Sequence, residues 1–129
     1  NGYNFVAPQD YLTCWVPLVD TTINNGCAWI MPGVHRQGTL RHWHTDLGYE
    51  CLTETSGAQP IEAKAGDVVV FSSLTPHRTG PNHTAGERKS YILQYAHDRA
   101  VMLGKEGEDS TLQDDPDRQF AVIQAGKYV

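Results

Sequence analysis

No apolar run in this chain approaches the roughly 20 residues that a membrane-spanning helix needs; stretches such as Val68-Val69-Val70-Phe71 are strand-sized. A transmembrane helix is therefore not expected. Positive charge is also scarce, since 10 Lys and Arg against 15 Asp and Glu leave a net charge of -5. Affinity for nucleic acid or an anionic membrane is carried largely by clustered Lys and Arg, so neither partner is expected. Cysteine is sparse and odd in number: Cys14, Cys27 and Cys51 do not make the dense, even framework of a small secreted domain. They read as small core residues, and the expected compartment is the cytoplasm. An initiator Met and a basic-then-apolar leader are missing too, because the chain opens at Asn1. A fragment of a longer protein is the expectation.

A sustained helical period is likewise missing. Instead, short stretches bounded by turn formers recur at 11–19, 27–31, 48–52, 68–72, 90–96 and 119–123, and each reads as a strand. Asn24-Asn25-Gly26, Pro32-Gly33, Ala65-Gly66-Asp67, Gly80-Pro81-Asn82 and Asp114-Asp115-Pro116 separate them. Gly and Asn there tolerate positive φ and Pro presets its own. In the first stretch Leu12, Cys14, Val16 and Leu18 share one face, taken as core, while Thr13 and Trp15 share the other. Residues 104–118 are acidic and poor in apolar side chains, so they read as a surface loop before a closing strand. With 129 residues the chain fits one domain, 1–129, built as an antiparallel all-β sandwich or barrel.

Six histidines invite a metal hypothesis, but spacing has to separate ligands from bystanders. The informative stretch runs from Gly66-Asp67 through the strand Val68-Val69-Val70-Phe71 to Pro76-His77-Arg78-Thr79, then to Arg88 and the run Ser90-Tyr91-Ile92-Leu93-Gln94-Tyr95. In an antiparallel hairpin, His77 and Arg88 fall on adjacent strands facing one interior, with Thr79 on the face of His77. A neutral imidazole suits Fe(II), and a guanidinium offers the bidentate fork that a carboxylate needs. Metal plus a 2-oxo acid is the chemistry this pattern points to.

These residues resemble a family. The run Tyr11-Leu12-Thr13-Cys14-Trp15-Val16-Pro17-Leu18-Val19-Asp20, then Asn25-Gly26-Cys27, then Met31-Pro32-Gly33-Val34-His35, then Gly66-Asp67 with its apolar strand, then His77 and Arg88, is similar to the phytanoyl-CoA dioxygenase family of Fe(II)/2-oxoglutarate oxygenases. The similarity extends to about Ala96. It implies a double-stranded β-helix, also called a jelly roll or cupin-like barrel, in which an His-x-Asp pair and a distal His hold iron. By position, His77 matches the distal iron ligand, Arg88 the arginine that pairs with the 2-oxoglutarate C5 carboxylate, Thr79 the hydroxyl beside it, and Trp15 a wall of the cosubstrate pocket. The family's His-x-Asp falls upstream of the strand at 11–20, next to a stretch resembling Asn1-Gly2-Tyr3. The expectation is therefore a barrel incomplete at its N-terminus, the C-terminal part of a dioxygenase, binding iron weakly by itself.

The implied activity is hydroxylation of a small organic substrate with Fe(II), 2-oxoglutarate and O2. Two alternatives stand beside it: a non-catalytic cupin-like module that holds a small carboxylate with Arg88 and Trp15, and a related non-haem iron halogenase. His44-Thr45-Asp46 is itself an His-x-Asp and offers a rival metal pair if that segment is extended. His35 reads as a hydrogen-bonding turn residue and His42 as part of a polar aromatic loop, while His83 and His97 carry no argument for a role. Asn82-His83-Thr84 fits the glycosylation pattern and reads as a turn. A jelly roll lacking strands exposes edges, so a homodimer that covers them is expected.

Overall fold

The computed structural model describes residues 6–104, 109–112, 114–117 and 119–129. The opening Asn1-Gly2-Tyr3 and part of the expected loop at 104–118 lie outside the described residues.

Two three-stranded antiparallel sheets position everything that follows. Taken in chain order, the strands are β1 (Val6–Ala7), β2 (Leu12–Pro17), β3 (Ala28–Ile30), β4 (Trp43–Thr45), β5 (Gly48–Glu50), β6 (Gln59–Ile61), β7 (Val69–Ser72), β8 (His77–Thr79) and β9 (Ser90–Tyr95). Four two-residue strands complete the described set: β10 (Val101–Met102), β11 (Thr111–Leu112), β12 (Ile123–Gln124) and β13 (Lys127–Tyr128). One main sheet has the order β7-β2-β9 and the other β6-β3-β8. Small ladders β1-β10-β11, β4-β5 and β12-β13 lie outside them. The chain thus switches sheets repeatedly, from β2 to β3, β6 to β7, β7 to β8 and β8 to β9, as a double-stranded β-helix requires.

Side-chain alternation fixes which face of each sheet is inside. Along β2, Thr13, Trp15 and Pro17 are buried, with Trp15 only 4% exposed, whereas Leu12 is 51% exposed and Cys14 and Val16 are half-buried. The face expected to be core is therefore the outer one. Its neighbours across the ladder, Val70, Tyr91 and Tyr95, are also exposed, and no described layer covers them. Cys27, 0% exposed, is a core cysteine as expected, while Cys14 and Cys51 are half-buried. All three are free thiols.

Several strands escape the alternation rule for local reasons. β6 carries Pro60 in its middle, which is tolerated because β6 is an edge strand whose one ladder runs to β3. The expected strand at 119–123 shrinks to Ile123, the first residue of β12, and β11 interrupts the expected loop at 104–118. No described helix is long and apolar enough to cross a membrane; the described helical element is a 3-10 turn, Val34–Gln37.

Loops are stitched together where they leave the sheets. Thr21 and Ala63 exchange both backbone hydrogen bonds, at 2.8 and 3.1 Å. Asp20 accepts from the Lys64 ammonium and from the Ala65 N–H, each at 2.9 Å. The hydrogen bond from Lys64 holds the Asp20 carboxyl below its ordinary pKa.

Candidate metal and cosubstrate site

His77 opens β8 directly after Pro76, and Thr79 closes it two residues later on the same face. Register with β3 places His77 opposite Ile30, Arg78 opposite Trp29 and Thr79 opposite Ala28. Thr79 stands beside the buried Ala28, so the His77–Thr79 face of β6-β3-β8 is the one that carries the core at β3, although His77 and Thr79 are themselves exposed at the sheet edge. The contact that joins the two sheets is aromatic: the His77 ring lies 4.8 Å from the ring of Phe71 in β7. Phe71 is paired with Thr13, on the buried face of β2.

Around His77 the electrostatics favour a neutral ring. Its Nδ1 is 2.8 Å from the Thr75 carbonyl oxygen, which has only lone pairs to offer, so Nδ1 carries the proton and donates. Nε2 is left with a free lone pair. Desolvation lowers the His77 pKa from its ordinary value, and the hydrogen bond to Thr75 opposes that shift without reversing it. The outer edge of the ring is open to solvent because β8 is an edge strand. A neutral imidazole whose Nδ1–H is tied to a backbone carbonyl is the state in which histidine ligates metals.

Arg88 comes from the other sheet. It lies two residues before Ser90, the first residue of β9, and the β2-β9 ladder extends past the strand through the Leu18 N–H, which donates to the Lys89 carbonyl at 2.9 Å. Ser90 stands opposite Pro17 on the buried face of β2, and Arg88 follows that face by alternation. Its guanidinium Nη1 donates to the Ser90 hydroxyl at 3.4 Å. His77 and Arg88 are therefore not on adjacent strands of one hairpin, as the spacing led us to expect. They belong to different sheets, His77 to β8 beside β3 and Arg88 to the approach to β9 beside β2, the strand that also carries the buried Trp15.

The other candidates are placed elsewhere. His44 is in β4, edge-on to Tyr49 at 5.3 Å, while Asp46 sits in the two-residue turn of the β4-β5 hairpin. The segment is not extended through Asp46, so the rival pair does not share a strand face. Among the described residues no three His, Cys, Asp or Glu side chains converge. The described residues thus present one imidazole fit for a metal rather than a full donor set. Arg78 is on the outer face, its guanidinium 5.6 Å from the centre of the Trp29 ring. A groove of about 410 Å³ opens there, lined by residues including Trp29, Glu62, Arg78 and His83, on the side of the sheet away from His77. Sequence reasoning missed Phe71 as a neighbour of His77; a single aromatic in an apolar strand carries no signal of what it faces.

Comparison with known proteins decides the family. A model described as phytanoyl-CoA dioxygenase matches residues 2–90. The chain belongs to the phytanoyl-CoA dioxygenase family. Members of that family depend on Fe(II) and 2-oxoglutarate. Methylphosphonate hydroxylase of Gimesia maris is 31% identical over 98 residues, covering 73% of this chain and 35% of that protein. The human peroxisomal phytanoyl-CoA dioxygenase is 28% identical over 99 residues, covering 69% of this chain and 29% of that protein. The chain spans about a third of the length of the curated relatives it matches. Among solved structures, EvdO2 from Micromonospora carbonacea var. aurantiaca, complexed with 2-oxoglutarate, superposes with a TM-score of 0.62 at 29% identity, covering 74% of this chain and 41% of EvdO2. The epimerase SnoN, in complex with Fe3+, alpha ketoglutarate and nogalamycin RO, has the same fold, with a TM-score of 0.65 at 23% identity over 97% of this chain and 50% of SnoN. The chain accordingly has the double-stranded β-helix fold of this oxygenase family.

Proposed function

We propose that this domain is the cosubstrate-anchoring portion of an Fe(II)/2-oxoglutarate-dependent hydroxylase that acts on a small organic substrate. The observation that supports this reading is the state of His77, whose Nδ1–H is committed to the Thr75 carbonyl so that Nε2 is left to ligate, with Arg88 arriving from the other sheet beside Ser90. In this reading His77 is one iron ligand and Arg88 grips the distal carboxylate of 2-oxoglutarate. Thr79 supplies a hydroxyl beside that carboxylate, and Trp15 walls the pocket. Iron, when bound, supplies the activation of O2 for which no amino-acid side chain suffices. The protein's own contribution is orientation: a fixed imidazole tautomer, a guanidinium braced by Ser90, and an apolar wall that excludes water from the reacting end.

The lack of three converging donors among the described residues favours a second reading, in which the chain by itself binds a small carboxylate without turnover. Both readings require Arg88; they separate on succinate production. The outer edges of β8 and β9 carry no described strand, and such edges pair readily, which supports association as a homodimer. Size-exclusion chromatography with light scattering tests that point.

The decisive experiment is 2-oxoglutarate binding to the full chain with Fe(II) under anaerobic conditions, by calorimetry, for Arg88→Gln and Arg78→Gln. Losing hydrogen bonds to a charged group, worth about 1.5–3 kcal/mol, predicts roughly 10- to 150-fold weaker binding for Arg88→Gln. Arg78→Gln, on the opposite face, leaves affinity unchanged. The reverse pattern would overturn the assignment.

A further inference from the structure

We infer that Phe71 is a positioning residue for the His77 imidazole: its ring is the wall that keeps Nδ1–H on the Thr75 carbonyl and leaves Nε2 free for metal. The inference rests on the reading of His77 as a ligand and adds a residue outside the ligand set.

The need for a wall follows from where His77 sits. β8 is a three-residue edge strand, and the imidazole is open to solvent on its outer side. Rotation about the terminal torsion of histidine is broad and roughly two-fold, so a half-turn would exchange Nδ1 and a ring carbon at the carbonyl. The ring's described hydrogen bond is donated by Nδ1–H to a carbonyl only two residues away, at 2.8 Å. A histidine side chain free in water also favours the Nε2–H tautomer, the one that cannot ligate through Nε2. Something must hold the ring against both motions. Phe71 meets that need: its ring is 4.8 Å from the imidazole at an interplanar angle of 57°, close enough to block a half-turn without covering the edge of the ring. Phe71 is itself fixed, in the β2-β7 ladder opposite the buried Thr13. The position of the imidazole in one sheet is thereby set by the other.

The test uses the metal-free, 15N-labelled chain at about pH 8, where a histidine is neutral. Long-range 1H–15N correlation reports which ring nitrogen carries the proton, with His77 assigned by its loss in His77→Gln. The unsubstituted chain should show His77 with a protonated Nδ1, an unprotonated Nε2 and cross-relaxation to the Phe71 ring. Phe71→Leu should bring the two nitrogen shifts together, as exchange averages the tautomers, while Phe71→Tyr should restore their separation. A merely structural role for Phe71 would alter stability in both variants and leave the tautomer alone. If Phe71→Leu fails to fold, the unsubstituted chain still decides: an Nε2–H tautomer, or no cross-relaxation between the rings, overturns the proposal. An unchanged tautomer in a folded Phe71→Leu overturns it too. Added Co(II) separates this from the underlying reading. Selective broadening of His77 supports ligation. Broadening that spares His77 removes the ligand reading and the purpose assigned to Phe71, even where the tautomer responds to Phe71→Leu.

Discussion

Replacing Gly26 by alanine should be among the costliest single-methyl additions in this chain. Gly26 has φ +87°, in the left-handed region, where a Cβ costs about 1–2 kcal/mol. A Cβ there would also lie 2.6 Å from the Gly80 carbonyl oxygen and 3.2 Å from that of Pro81. Both neighbours are backbone, so no side chain can rotate away. Separating them means pulling apart the turns that enter β3 and leave β8, which are joined by the Gly80 N–H donating to the Cys27 carbonyl at 3.2 Å. Overpacking of this kind adds about 1–3 kcal/mol, giving a total near 2–5 kcal/mol. Gly33→Ala is the internal control: its φ of +81° carries similar strain, but nothing lies within 4 Å of the added Cβ, so the cost stays near 1 kcal/mol. Urea unfolding followed by tryptophan fluorescence measures both. With an m-value of about 1–3 kcal/mol/M, the two midpoints should separate by roughly 1 M. Coincident midpoints would show that the close approach of residues 26 and 80 contributes nothing, and the described anchoring of β8 would be wrong.

Trp15→Ala removes the largest buried wall of the inter-sheet space and should cost about 3–5 kcal/mol in the same urea assay, with Trp15→Phe much milder. A cost below 1 kcal/mol would place Trp15 outside the core. The His77 pKa is lowered by desolvation, so the folded state resists protonation that the unfolded chain accepts. Its contribution to stability is therefore full above the ordinary histidine value of about 6.5 and is lost as pH falls through the lower folded value. Unfolding midpoints of the wild type should rise with pH across that window more steeply than those of His77→Gln; parallel curves would contradict the shift. Cys27 is wholly buried whereas Cys14 and Cys51 are half-buried, so at pH 8 a thiol reagent should modify Cys14 and Cys51 in the native chain and reach Cys27 only in urea. Native modification of all three thiols, read by mass spectrometry, would count against the packing of β3.

Strands β2, β7 and β9 were legible in the sequence because each is long enough for apolar and β-branched residues to outweigh the turn formers at its ends. β8, which holds no apolar residue, was legible only through the period-two placing of His77 and Thr79, and β6 was hidden by Pro60. The inversion of β2 has a different origin. Apolar character ranks Leu12, Cys14 and Val16 above Thr13, Trp15 and Pro17, yet the second set is buried. A barrel that encloses a polar site lines its inner face with residues able to stand beside hydrogen-bonding groups, so hydrophobicity alone points to the wrong side. Locality explains the misplacement of His77 and Arg88. Eleven positions apart, with a Gly-Pro turn between them, they satisfy the rule that sequential strands neighbour each other in one sheet. That rule fails where the chain alternates between two sheets, and β8 pairs with β3 while β9 pairs with β2. The same alternation supplies His77 from one sheet and the approach to Arg88 from the other. The type of residue at the site was therefore readable from the chain, but the way the site is built was not: it depends on β2 and β3, which precede His77 by some sixty and some fifty residues and carry none of the charged groups.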